Sequence, residues 1–179
     1  MPHYRRLFTG STYFFTVVAY QRRRILCDPA LRTALRQAIQ KVRRIRPFMI
    51  DGWVLLPDHM HCIWTLPAGD TDYSTRWAEI KRQVSNACRT SLHTPELLTR
   101  SGRNRGESTI WQRRFWEHQI RDHVDMEKHL DYMHFNPVKH GHVRQVSDWP
   151  YSTFHRYVRE GIYASDWAGT LEIVEMELE

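Results

Sequence analysis

Two apolar stretches, Phe48–Leu56 and His59–Leu66, are separated by only Pro57-Asp58. So short a link leaves no room for a crossover, so the two segments must pair as an antiparallel hairpin. In the second, Met60, Cys62, Trp64 and Leu66 alternate with His59, His61, Ile63 and Thr65. Side chains two apart share a face of a strand, so one face is wholly apolar and belongs on a core. The other face begins with two histidines.

The rest of the chain supplies partners for that hairpin. Thr12–Tyr20 is a β-branched and aromatic run, apolar on both sides, which reads as a central strand. Asp28-Pro29 reads as a helix cap followed by an N1 proline. Leu31, Leu35, Ala38, Ile39, Val42 and Ile45 then recur at helical spacing, which predicts a helix over 29–46. Ser74 is placed to cap a second helix that carries Trp77, Ile80, Val84, Ala87 and Cys88 on one side. Residues 91–109 turn to Ser, Thr, Gly and Arg and read as a mobile loop. Residues 110–120 are a weaker strand candidate. A short helix begins at Asp122 or Asp125 and is expected to stop at Asn136, before Pro137. The order strand, helix, hairpin, helix, strand, helix predicts an α+β fold. It is a ferredoxin-like antiparallel sheet with helices on one face, followed by a C-terminal extension. The division is expected at 1–145 for the domain and 146–179 for the extension with its acidic end.

Charge narrows the function classes. The net is +6, but residues 1–50 hold 11 Lys and Arg against the single acid Asp28. A basic block of this size is a footprint for a polyanion such as nucleic acid, or else a solvated basic face. The last ten residues carry four Glu and no Lys or Arg. That tail either competes with the ligand for the basic surface or only keeps the chain soluble, and its deletion is expected to tighten binding to DNA. No apolar run approaches the ~18 residues of a membrane span. Cys27, Cys62 and Cys88 are odd in number and far apart, which argues against a disulfide framework and for a reduced, cytoplasmic setting.

Four residues could carry chemistry. His59 and His61 project from one strand face and could share a divalent ion; in a chain with 11 histidines they could equally be two surface side chains. Tyr132 and Asn136 are one helical turn apart, hence on one face. There they read either as a nucleophile beside an amide metal ligand or as a half-buried aromatic and a helix-ending residue. His118, His123, His129 and His134 lack zinc-finger spacing. Trp111, Trp116, Trp149 and Trp167 read as core, a minority being available to stack on unpaired bases.

The stretches Trp53–Pro67 (WVLLPDHMHCIWTLP), Trp111–Gln119 (WQRRFWEHQ) and Asp131–Gly141 (DYMHFNPVKHG) resemble those of the REP-associated tyrosine transposases. These belong to the single-tyrosine HUH transposases and endonucleases. The resemblance extends to Tyr4-Arg5-Arg6, Thr12–Val18 and Ser147–His155, and so covers nearly the whole chain. It implies that His59 and His61 are the HUH pair, with Met60 between them. It implies that Tyr132 is the nucleophile and Asn136 a third, amide metal ligand where relatives often have glutamine. The implied activity is a metal-dependent single-stranded DNA endonuclease and strand transferase that forms a 5′-phosphotyrosine intermediate with Mg²⁺ or Mn²⁺. The implied substrates are REP-type hairpins with a GTAG-like foot, handled by a monomer in the bacterial cytoplasm at the nucleoid; dimers are the alternative. Charge and position assign phosphate contacts to Arg5, Arg6, Arg22, Arg23, Arg24, Arg113, Arg114 and Lys139. The rival activities are a non-catalytic hairpin-binding protein of the same fold and a hydrolase in which the two histidines activate water.

Overall fold

A computed structural model describes residues 11–169. Arg5, Arg6 and the acidic tail lie outside the described residues. Strand β1 (Thr12–Val18) is followed by helix α1 (Pro29–Ile45), the hairpin β2 (Met49–Leu55) and β3 (His59–Thr65), and helix α2 (Tyr73–Ala87). After α2 come two short helices, α3 (Arg89–Leu92) and α4 (Arg100–Asn104), the edge strand β4 (Trp116–Gln119), the long helix α5 (His123–Lys139) and α6 (Phe154–Arg159). The sheet is antiparallel in the order β2-β3-β1-β4, and β3 and β1 are central.

Helix α1 begins where the sequence predicts. The Asp28 carboxylate accepts from the Ala30 and Leu31 amides, and Pro29 supplies the first turn. Its stripe of Leu31, Leu35, Ala38, Ile39 and Val42 packs with the α2 residues Trp77, Ile80 and Val84 on one face of the sheet. There Met60, Cys62 and Trp64 meet them, and Trp64 stacks on Trp77 at 4.2 Å between ring centroids. Helix α2 is capped by Asp72, which accepts from the Thr75 amide, and not by Ser74.

The opposite face is also covered. Phe14, Val54 and Ile63 pack with Met126, Leu130, Tyr132 and Met133 of α5, so every residue of β3 is buried. Helices therefore occupy both faces: α1 and α2 share one, and α5 takes the face that carries the histidines. A glycine permits the close approach of α5. Gly52 lies at a register shift between β2 and β3, and a Cβ there would sit 2.8 Å from Met133 Sδ.

Two further expectations change. Pro137 does not stop α5, which runs on to Lys139. Proline removes one amide donor in the last turn, and the His140 amide still bonds to the Asn136 carbonyl. Gly141, at φ +68°, makes the exit. Residues 91–109 are not an open loop. Arg23 donates to the carbonyls of Leu92 and Thr109 and to the Thr94 hydroxyl, which ties both ends of the segment to the body. Of the tryptophans expected in the core, Trp111 is buried, Trp149 and Trp167 are partly buried, and Trp116 is 43% exposed on the edge strand.

Residues 146–163 share the α5 core. Ser152 bridges Val54, Thr153 Oγ1 accepts from the Trp53 amide, and Phe154, Tyr157 and Tyr163 are buried beside His134.

Candidate active site

His59 starts β3, and the alternation of the strand puts His61 beside it on the α5 face, with ring centroids 4.9 Å apart. Tyr132 and Asn136 project from α5 onto the same spot. The His61 and Tyr132 rings are 5.4 Å apart, and His59 Nε2 lies 3.2 Å from Asn136 Oδ1. Strand and helix thus bring together four residues that the sequence holds some seventy positions apart. All four side chains are buried, Tyr132 with only 1% of its surface exposed. As folded, neighbouring side chains cover all four.

Hydrogen bonds fix the histidine orientations. His59 Nδ1 donates to Asp58 Oδ1 at 2.9 Å, and Nε2 faces Asn136 Oδ1. Asp58 holds Arg22 with its other oxygen at 3.2 Å. Burial pushes the Asp58 carboxyl up, but the His59 hydrogen bond, its charge and Arg22 outweigh burial and bring it down to about 2. His61 Nδ1 pairs with Thr16 Oγ1 of β1 at 3.0 Å, which turns Nε2 toward the site. Lys139 Nζ sits 5.2 Å from the centre of the Tyr132 ring, so this cation lies against the phenol.

The donor set fits a divalent metal. His59 Nε2 and Asn136 Oδ1 lie 3.2 Å apart, a separation that suits neighbouring ligands about 2.0–2.2 Å from one ion once Nε2 gives up its proton. The Asn136 Nδ2 group is buried with no hydrogen-bond partner, so no competing contact holds the amide in another orientation. Asp58 and Thr16 are the partners that orient the two imidazoles, as outer partners do for histidines that bind metal. The sequence already places Asp58 beside His59; Thr16 becomes visible only once β1 is paired to β3 in the register Thr16 to His61.

A second cluster lies at the start of α5. His118 Nε2 on β4 donates to Asp125 Oδ2 at 2.9 Å, and the Arg121 amide donates to the same oxygen at 3.0 Å. His129 Nδ1 donates to the Asp125 carbonyl at 2.8 Å. Among the described residues, His118, Asp125 and His129 form the only group of three or more His, Cys, Asp or Glu side chains whose ligand atoms lie close enough for one metal. As folded, the ring nitrogens facing Asp125 carry protons, and the Arg121 guanidinium lies 3.3 Å away. The cluster is a hydrogen-bonded knot that ties β4 to the helix bearing Tyr132.

The other residues assigned to DNA scatter. Arg22 is held by Asp58, and Arg23 is engaged with main-chain carbonyls, as above. Arg24, Arg113 and Arg114 are exposed.

A four-stranded antiparallel sheet with a histidine pair on a central strand, facing a tyrosine on a covering helix, is the architecture of the HUH endonucleases. No protein-family model matches the chain. The chain is 52% identical over 170 residues to the REP-associated tyrosine transposase of Escherichia coli K12, covering 94% of this chain and 92% of that protein. It is 42% identical over 177 residues to a relative of the same name from Haemophilus influenzae, covering 97% of each. A solved structure of a REP-associated tyrosine transposase bound to a REP hairpin aligns with a TM-score of 0.75 and 51% identity, over 96% of this chain and 93% of that one. The chain belongs to the REP-associated tyrosine transposases. Among the described residues, no helix is long and apolar enough to cross a membrane.

Proposed function

We propose that the protein is a metal-dependent single-stranded DNA endonuclease and strand transferase that acts at REP-type hairpins through a 5′-phosphotyrosine. The observation that carries this reading is the convergence of Tyr132 and Asn136 from α5 with His59 and His61 from β3. The hairpin bound to the solved relative supports the substrate class.

In this reading Tyr132 Oη attacks the phosphorus, the bond to the 3′-oxygen breaks, and that oxygen leaves with a proton as a free 3′-OH. The 5′ end stays on the tyrosine as a phosphodiester, so a 3′-OH from another strand can reverse the exchange without ATP. His59, His61 and Asn136 would hold a divalent ion, which when bound supplies Lewis-acid stabilisation of the phosphate. Imidazole ligands make Mn²⁺ the better-bound ion and Mg²⁺ the weaker. Asp58 holds the Nδ1 proton of His59, and Thr16 holds the His61 ring in place. Lys139 stabilises negative charge on the phenol oxygen as its proton leaves. The rival, a hydrolase in which the histidines activate water, could draw on His140, whose ring stands 5.1 Å from that of His59, and would leave no covalent adduct.

The test is incubation with a labelled hairpin and Mn²⁺, followed by a denaturing gel. A labelled protein band is expected for the wild type and is absent in Tyr132→Phe. Cleavage that persists in Tyr132→Phe refutes the nucleophile. Cleavage unchanged in a folded His59→Ala, His61→Ala variant refutes the metal site.

A further inference from the structure

On the α2 side of the sheet, a concave groove of about 700 Å³ opens between α2 and the segment that runs from α3 to β4. Its walls carry Lys81, Arg82, Arg89, Arg103 and Arg113, and the sole acid among them is Glu107. Glu107 is already neutralised by Arg105 at 2.8 Å. Among the described residues, Arg82, Arg89 and Arg113 make no ion pair, and all three are exposed. Arg82, Ser85, Asn86 and Arg89 recur at helical spacing, so one polar face is turned to the groove, while Trp77, Ile80 and Val84 face the core.

The groove and the candidate active site both adjoin the end of β1. Tyr20 lines the groove. One residue earlier, the Ala19 amide bonds to the Asp58 carbonyl, and Val18 pairs with His59 in the sheet. Arg22, two residues past Tyr20, is bound to the Asp58 carboxylate. The end of β1 thus runs from the wall of the groove to the strand that carries His59. A concave, cation-lined channel with an aromatic wall suits a single strand, whose backbone can follow it and whose bases can stack.

We propose that this groove is a binding subsite for the single-stranded DNA that flanks the cleaved phosphodiester, with Arg82 and Arg89 on its phosphates. The proposal rests on the endonuclease reading and adds Arg82 and Arg89 to Arg113, which charge and position had already assigned to DNA and which lines the same groove. It makes binding of the flank and binding of the hairpin separable, since Arg82 and Arg89 lie on the α2 face and the histidines on the α5 face.

The test is fluorescence anisotropy with the full chain and two REP-type hairpins. One has a short foot; the other has that foot extended by about ten unpaired nucleotides, in separate 5′ and 3′ versions. The wild type is expected to bind one extended version more tightly. Each phosphate contact adds about 0.7 to the log–log salt slope, so two contacts add roughly a sevenfold loss between 50 and 200 mM salt. The Arg82→Gln, Arg89→Gln variant is expected to lose that gain and that added slope, yet bind the short hairpin as the wild type does. The proposal is overturned if neither extension helps the wild type, if the variant keeps the gain, or if the variant weakens equally on both hairpins. A gain that survives when a complementary strand makes the extension duplex overturns the single-strand assignment. Failure of the wild type to form a tyrosine adduct with the short hairpin overturns the endonuclease reading alone, because the groove is read out by binding.

Discussion

Asp58→Ala separates the aiming of a ligand from ligation itself. In the folded chain the carboxylate accepts from His59 Nδ1 at 2.9 Å, so that Nε2, on the side of Asn136, is the nitrogen left to give up its proton to a metal. Removing an outer partner of this kind costs 10- to 100-fold in metal affinity, about 1.4 to 2.8 kcal/mol. The lower end is expected here, because the Asp58 side chain is 21% exposed and water can replace the lost acceptor. The stability loss should stay within about 1 kcal/mol, since the Arg22 partner is 47% exposed and the pair is screened. The assay is a Mn²⁺ titration by calorimetry, with hairpin binding measured in chelator as a control. The metal midpoint is expected to move by about tenfold or more, with the metal-free DNA affinity unchanged. Asp58→Asn retains an acceptor oxygen and should fall between the two. An Asp58→Ala titration that superimposes on the wild type refutes the claim that the His59 tautomer matters to the metal. An equal loss of DNA affinity in chelator means that Asp58 acts only by placing Arg22.

Two predictions concern the placement of α5. Gly52→Ala puts a methyl group 2.8 Å from Met133 Sδ and 3.0 Å from Leu130 Cδ2, so about 1–3 kcal/mol of stability should be lost in urea unfolding. A neutral result would show that the Met133 thioether moves aside without strain. Burial raises the Asp125 carboxyl, but the His118 hydrogen bond and the Arg121 donors prevail and hold it below the usual carboxylate range. Its contribution is therefore complete above about pH 5 and drains away as the pH falls through and below about 4, where the unfolded chain takes up the proton first. Asp125→Asn should lower stability at pH 7 and flatten the acid limb of the stability curve; an unchanged limb would show that the knot does not hold the helix.

Side-chain period made much of the site legible. His59 and His61 share a face because strands repeat every two residues, and Tyr132 and Asn136 share one because helices nearly repeat every four. That the two faces meet was not legible from the residues alone. It depends on α5 crossing the second face of the sheet, which Gly52 permits, and a glycine inside a strand says nothing about what approaches it. The same omission left β3 with one apolar face and one open face, whereas both are covered. Composition misled over residues 91–109, because tethering by Arg23 is a long-range event. It misled over Arg23 too, since a basic run does not tell a phosphate contact from a main-chain tie. Pro137 stopped the predicted helix early because the rule concerns the donor it lacks, and near a C-terminus one missing donor matters little.

The proposed ligands are two imidazoles and an amide, none of them charged when bound to metal. A divalent ion held there keeps its full charge, within a site whose nearest carboxylate, Asp58, is already matched by Arg22. Two anions can neutralise that charge: the phosphodiester and the Tyr132 phenolate. Metal binding to the free protein is thus expected to be weak, and metal and DNA should strengthen one another by the same factor. Factors of 5 to 150 are typical of such coupling, about 1 to 3 kcal/mol. A Mn²⁺ titration of Tyr132→Phe, with and without saturating hairpin, measures it without turnover. Equal Mn²⁺ affinity in the two titrations would mean that the phosphate does not enter the coordination sphere, and the charge argument would fail with it.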